Sequence, residues 1–135
     1  MNERATVKVA DVMERAPIVI DGLATVTDAM KTMRDKGVDY LVINKRDEHD
    51  EYGLVAVHDI AEQVIARNRA ADRVSVYEIM TKPVIAVDRR MAVKYAIRLL
   101  SRFRIARALV LEGGKLAGIV TLRDMALRKA DGSGS

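Results

Sequence analysis

Two short stretches carry the residue types that could do chemistry. "GIVTLRD" (118–124) sets a hydroxyl, Thr121, three residues before a carboxylate, Asp124. "GLVAVHD" (53–59) repeats the pattern with Asp59, but Ala56 stands where the threonine was. A Ser/Thr-x-x-Asp/Glu spacing ahead of a helix is a capping pattern, in which the hydroxyl accepts a free backbone N–H and the carboxylate favours the positive helix end. The same helix start is a ready site for an anion. A carboxylate in its first turn can accept hydrogen bonds from both hydroxyls of a ribose. The two readings are compatible, and the spacing alone leaves both open. Gly118, at the head of the stretch, allows a close approach of backbone. His58, beside Asp59, is either a partial substitute for the missing hydroxyl or a solvated surface residue.

Four arginines crowd "RLLSRFRIAR": Arg98, Arg102, Arg104 and Arg107. Arg98 and Arg102 share a helical face turned to solvent or to a partner. Arg107, at a strand entry, suits bidentate contact with phosphate oxygens. Other chemistries lack support. The chain has two histidines, His49 and His58, no cysteine and no metal-ligand spacing. No P-loop, nucleophile elbow or dinucleotide fingerprint is present, so an enzyme is the least supported class. The "RDEHDE" loop that holds His49 reads as a solvated turn.

The elements that must position these groups are built from a restricted alphabet. Half of the 135 residues are hydrophobic but only 4% are aromatic, so the core must be made of Val, Ile, Leu, Ala and Met. Met13 and Met80 read as core fillers. The lack of cysteine fits a reducing compartment, the charged N-terminus lacks a signal-peptide core, and no stretch reaches the ~18 apolar residues of a membrane span. The expectation is a cytoplasmic protein without a membrane partner. Its net charge of +4 permits an anionic ligand without naming one.

The echo of the seven-residue stretches extends along the chain. "DVMERAPIVI" (11–20) resembles "EIMTKPVIAV" (78–87), and "TVTDAMKTMRDKGVDYLVI" (25–43) aligns with "AVKYAIRLLSRFRIARALV" (92–110). Each copy predicts an extended segment after a proline (Ile18–Ile20 and Val84–Val87). A helix follows, then two apolar strands, then a second helix at about 58–69 and 122–129. Thr25 and Asp28 form a capping pair, and Gly37 is a stop. "KRDEHDEY" against "EGGKLA" places the length difference in the loop between strands. The boundaries are 7–69 for repeat 1, 70–73 for a linker, 74–129 for repeat 2, and 130–135 for a disordered tail. A unit of about 60 residues buries little surface alone, so the two are expected to share a core.

These motifs, two matching heptapeptides within two full-length repeats, resemble a tandem pair of CBS domains, the regulatory modules named after cystathionine beta-synthase. The resemblance implies an α+β fold of two β-α-β-β-α repeats, related by pseudo-two-fold symmetry and packed sheet to sheet. It implies a non-catalytic module with two clefts for an adenosine-containing ligand (AMP, ADP, ATP or S-adenosylmethionine), with no required cofactor and no metal. It also implies a homodimer acting on a regulated protein in trans. The stronger cleft would use Arg107, Ile119, Thr121 and Asp124 with Pro17, Ile18, Val38 and Asp39. There Asp124 holds the ribose and Thr121 meets ribose or phosphate. The weaker cleft would use Tyr40, Leu54, His58 and Asp59 with Thr81, Val84, Ile105 and Ala106. Two other functions compete: a structural docking module with degenerate clefts, and nucleic-acid binding through the arginines. Acids spread along the chain disfavour the latter.

Overall fold

The computed structural model describes residues 6–82 and 84–130. Pro83 and the tail beyond Ala130 lie outside the described residues. The chain divides into two compact units, one spanning Ile18–Val84 and the other joining the segment up to Pro17 to the segment from Ile85 onward.

The continuous unit contains β1 (Val19–Ile20), α2 (Val26–Lys36), β2 (Tyr40–Ile43), β3 (Gly53–Ala56), α3 (Val57–Ile60) and α4 (Val76–Ile79). β1 runs parallel to β2 and β2 antiparallel to β3, with Tyr40 opposite Ala56. The expected cap of α2 is present: Thr25 Oγ1 accepts the Asp28 N–H at 3.1 Å and Asp28 accepts the Thr25 N–H at 3.2 Å. Gly37 ends the helix at φ +67°, a left-handed conformation that costs a glycine little. The second helix departs from expectation. It begins at Val57, widens into a π-helical run Ala61–Ile65 whose i→i+5 bond runs from Ala66 N–H to Ala61 O at 2.8 Å, and then stops. The linker is not a free connector. Ala71 packs on this unit's core, and the Val74 carbonyl accepts the Val26 N–H at 2.8 Å.

The other unit contains α1 (Val9–Val12), β4 (Ala86–Asp88), α5 (Val93–Phe103), β5 (Arg107–Glu112), β6 (Lys115–Thr121) and α6 (Leu122–Ala130). Its sheet repeats the order, β4 parallel to β5 and β5 antiparallel to β6. Gly113 and Gly114, at φ +60° and +80°, make the tight hairpin turn whose twist suits the flanking strands. Both strands after a proline start later than expected, at Val19 and Ala86.

The short helices α1 and α4 were absent from the sequence expectation, and each belongs to the other repeat's unit. Val9 and Ala10 donate to Met91 O and Arg89 O at 2.8 and 2.9 Å, and Val93 donates to Val7 O at 2.9 Å. Likewise Val76 donates to Ala24 O and Tyr77 to Gly22 O, at 2.9 and 3.0 Å. Compact units are therefore offset from sequence repeats. Each has its own apolar core. Val7, Val9, Val12, Leu100 and Met125 are among the buried residues of one, and Val26, Met33, Leu41, Ile43 and Val64 of the other. Each such side chain contributes about 1.5–3 kcal/mol by leaving water.

Candidate functional site

Register and capping assemble the first group of candidates. Hairpin pairing puts Arg107 directly opposite Thr121, so the two side chains leave the same face of the sheet, with Cβ atoms about 5 Å apart. α6 starts at the next residue, and Thr121 Oγ1 accepts the Asp124 N–H at 3.0 Å. The capping reading is therefore realised. It leaves the Thr121 O–H free to donate, because a hydroxyl has one donor and two acceptor positions. The Asp124 side chain is half exposed, with Arg123 Nη1 3.9 Å away. Ala106 closes the corner by accepting the Leu122 N–H at 2.7 Å, and Ile105 donates to Leu100 O at the end of α5. Ile119 is 1% exposed, its backbone paired in both directions with Glu14. Gly118 makes that approach feasible: a Cβ there would stand 2.5 Å from the Glu14 carbonyl oxygen. The close approach expected from the glycine is real, and what approaches is the segment after α1, with Met13 packed beside it.

The matching corner of the continuous unit differs as the changed letter requires. Tyr40 faces Ala56, which has no hydroxyl, and here the carboxylate makes the cap, Asp59 Oδ2 accepting the Ala56 N–H at 2.8 Å. His58 is exposed and lies 3.2 Å from Glu62 on the next turn, as in the surface reading. Val57 donates to Asp39 O at 2.9 Å. Leu54 and Thr81 exchange backbone bonds at 3.1 and 2.8 Å, which fixes the segment that leads to Val84. Ile18 accepts the Val42 N–H at 2.9 Å. Val38, Asp39 and Tyr40, assigned to two different clefts, line a single apolar groove of about 820 Å³ with Met30, Met33, Ile60 and Ile65. Met80 packs on this unit's core, as Met13 does on the other.

The acidic loop corrects the solvated-turn reading in part. His49 is exposed, but the Asp50 side chain is 9% exposed and pairs with Lys82, while also accepting the Arg46 N–H at 2.8 Å. Arg46 and Lys82 lie 4.3 and 4.9 Å from the centre of the Tyr77 ring. Hydrogen bonds from Lys82 and then from Arg46 hold the Asp50 carboxyl well below the usual carboxylate range. The charges of this loop neutralise one another across the fold, which a local reading of "RDEHDE" misses.

Among the described residues, no helix is long and apolar enough to cross a membrane. The family described as "CBS domain" matches residues 9–66 and 76–130. An uncharacterized protein of Methanopyrus kandleri, MK0525, is 33% identical over 122 residues, which cover 89% of this chain and 61% of that protein. The chain thus spans less than two thirds of that curated relative. The hexameric CBS-CP12 protein from bloom-forming cyanobacteria is 34% identical with a TM-score of 0.88, over 96% of this chain and 75% of that one. The CBS domain pair of protein MJ0100, solved in complex with 5′-methylthioadenosine and S-adenosyl-L-methionine, is 26% identical with a TM-score of 0.80, over 96% and 99% of the two chains. With both repeats matched and the two three-stranded sheets in place, this chain belongs to the CBS domain family as a tandem pair.

Proposed function

We propose that this CBS pair is a non-catalytic regulatory module that binds an adenosine-containing ligand, AMP, ADP, ATP or S-adenosylmethionine. One observation carries the reading: Arg107 faces Thr121 across the hairpin and Asp124 follows in the first turn of α6, so a cation, a hydroxyl donor and a carboxylate belong to one strand-to-helix corner. That set matches a ribose with an anionic or polar extension. The MJ0100 pair, with its adenosine-type ligands, supports the ligand class. The second candidate corner, with Tyr40, Leu54, His58 and Asp59, is the weaker, since Asp59 already accepts the Ala56 N–H and the hydroxyl is missing. The module acts as a homodimer on a partner protein in trans.

Calorimetry with the four ligands tests this. Asp124→Ala removes hydrogen bonds to a charged acceptor, worth about 1.5–3 kcal/mol, or about tenfold to hundredfold in affinity. Asp59→Ala has a smaller effect on the tighter event. The Thr121 cap favours one rival, a docking module whose "TLRD" only starts a helix. Under that reading none of the four ligands binds or raises the melting temperature.

A further inference from the structure

Each unit has a cavity at the end of its sheet where the parallel pair β1–β2 or β4–β5 finishes, away from the strand start that holds Tyr40 or Arg107. The two cavities are equivalent by register. Ile20 pairs with Ile43 and Val87 with Val110, so Gly22 corresponds to Arg89 and Lys45 to Glu112, each two residues further on. The Tyr77 N–H donates to Gly22 O at 3.0 Å and the Ala10 N–H to Arg89 O at 2.9 Å, which matches Tyr77 to Ala10.

The duplication acts as an internal comparison. In the unit with α5, the cavity of about 380 Å³ is lined by arginines that already face acids: Arg89 is 3.0 Å from Glu112, and Arg90 is 3.2 Å from Asp88. In the Ile18–Val84 unit, the cavity of about 370 Å³ has Lys45 at the position of that glutamate, followed by Arg46. Lys45 has no carboxylate partner among the described residues and lies 5.5 Å from the centre of the Tyr52 ring. Arg46 lies 4.3 Å from the centre of the Tyr77 ring, with Nε 3.4 Å from Asp50, which leaves its two Nη groups as donors. Asn44 Oδ1 accepts the Lys45 N–H at 2.9 Å, so the Asn44 amide nitrogen is also a donor. The acid among the lining residues is Asp21. Its Oδ1 accepts the Leu23 N–H at 2.7 Å, and its other oxygen can accept a hydroxyl. Gly22 is needed beside the ring, because a Cβ there would stand 3.0 Å from Cδ1 of Tyr77. Leu23 also lines the cavity and is 79% exposed, an apolar edge for carbon atoms.

We infer that this cavity of the Ile18–Val84 unit binds a small phosphate monoester that carries hydroxyl groups, a sugar or polyol phosphate. Such a phosphate concentrates about two negative charges on one group at neutral pH, and two adjacent cations match it. A dicarboxylate of the same charge divides it between two ends. The guanidinium suits phosphate oxygens bidentately, Asp21 suits a hydroxyl, and a volume near the low end of ligand sites suits a molecule smaller than a nucleotide. The site is distinct from the corner of Thr121 and Asp124 and does not depend on the adenosine reading.

Amide NMR of the whole chain at ~0.15 M salt, where weak surface attraction is screened, tests this with glucose 6-phosphate as the probe. Saturable shifts are expected at Gly22, Asn44 and Lys45. Lys45→Glu should weaken binding about tenfold or more, since a charged hydrogen bond is replaced by repulsion. Lys45→Gln, the milder change, should weaken it in the same direction and keeps the test if the first variant does not fold. Asp21→Asn should weaken glucose 6-phosphate while leaving inorganic phosphate unchanged. Inorganic phosphate or succinate binding as tightly as glucose 6-phosphate would overturn the inference, as would unchanged affinity in both Lys45 variants. Shifts absent from Gly22, Asn44 and Lys45, or confined to residues 118–124, would overturn it too, and would leave the adenosine reading standing.

Discussion

Gly118→Ala puts a methyl group where the Glu14 carbonyl oxygen stands. The added carbon would lie 2.5 Å from that oxygen and 3.1 Å from Sδ of Met13. The oxygen is backbone, held by the Ile119 N–H at 3.0 Å, and Glu14 returns a bond to the Ile119 carbonyl at 2.8 Å. Relief therefore requires the segment after α1 to part from β6. Losing two hydrogen bonds at about 0.5–1.5 kcal/mol each, with overpacking of about 1–3 kcal/mol partly relieved by that parting, gives a destabilisation of about 2–4 kcal/mol. Gly53→Ala, the same letter in the other copy, meets Sδ of Met80 at 2.5 Å. A thioether at the end of a flexible side chain can swing aside, and the cost stays near the low end of overpacking, about 1 kcal/mol. Thermal melts followed by circular dichroism read the difference, at about 3–5 °C per kcal/mol for a chain of this size. Equal losses in the two variants, or a larger loss at Gly53, would refute the claim that backbone crowding sets the cost.

Four further outcomes follow from local geometry. Thr121→Ala should lower the melting temperature of the ligand-free protein by the equivalent of about 0.5–2 kcal/mol, the value of an N-cap, and Thr121→Ser should restore most of it. Asp50 has a depressed folded-state pKa, so its contribution is present above the unfolded value near ~3.9 and lost as pH falls below it. An acid titration of melting temperature should therefore decline below about pH 4, and Asp50→Asn should flatten that limb. Gly37→Ala should cost about 1–2 kcal/mol in urea unfolding from its φ of +67° alone, since no atom stands within 4 Å of the added carbon. Arg104→Gly should shift stability the opposite way by less, because relief of the left-handed φ of +55° at the end of α5 is partly offset by the extra chain entropy that glycine loses on folding.

The repeat was legible because its signals are local. Thr25 with Asp28, Gly37, and the glycine pair of the β5–β6 turn each act over a few residues, whereas a bulge between Val110 and Leu111 shifts the hairpin register by one residue and brings Arg107 opposite Thr121. α1 and α4 were not legible, since "VADV" and "VYEI" are each about one turn, too short for a period to show. Ser75 ahead of Glu78 was an available sign of α4: Glu78 accepts the Ser75 N–H at 2.9 Å. Which repeat each short helix would join depends on burial against distant strands, which no local pattern encodes. The same holds for Asp50, whose partner Lys82 lies 32 residues along the chain. The candidate site was half legible. The corner of Arg107, Thr121 and Asp124 follows from register and capping, whereas the burial of Ile119 comes from its backbone pairing with Glu14.

The nesting of one unit inside the other sets an order of biosynthesis. The Ile18–Val84 unit is continuous, and all of it has been made before β4 appears, so it can close while the ribosome is still working. The other unit cannot. Arg128 Nη2 reaches the Asp11 carbonyl from 117 residues away, so α1 is made long before β6 and α6. At about 5–20 residues per second, Val7, Val9 and Val12 emerge early and wait about 5–20 s without the strand and helix that bury them. That interval leaves α1 open to a holding chaperone or to a wrong partner.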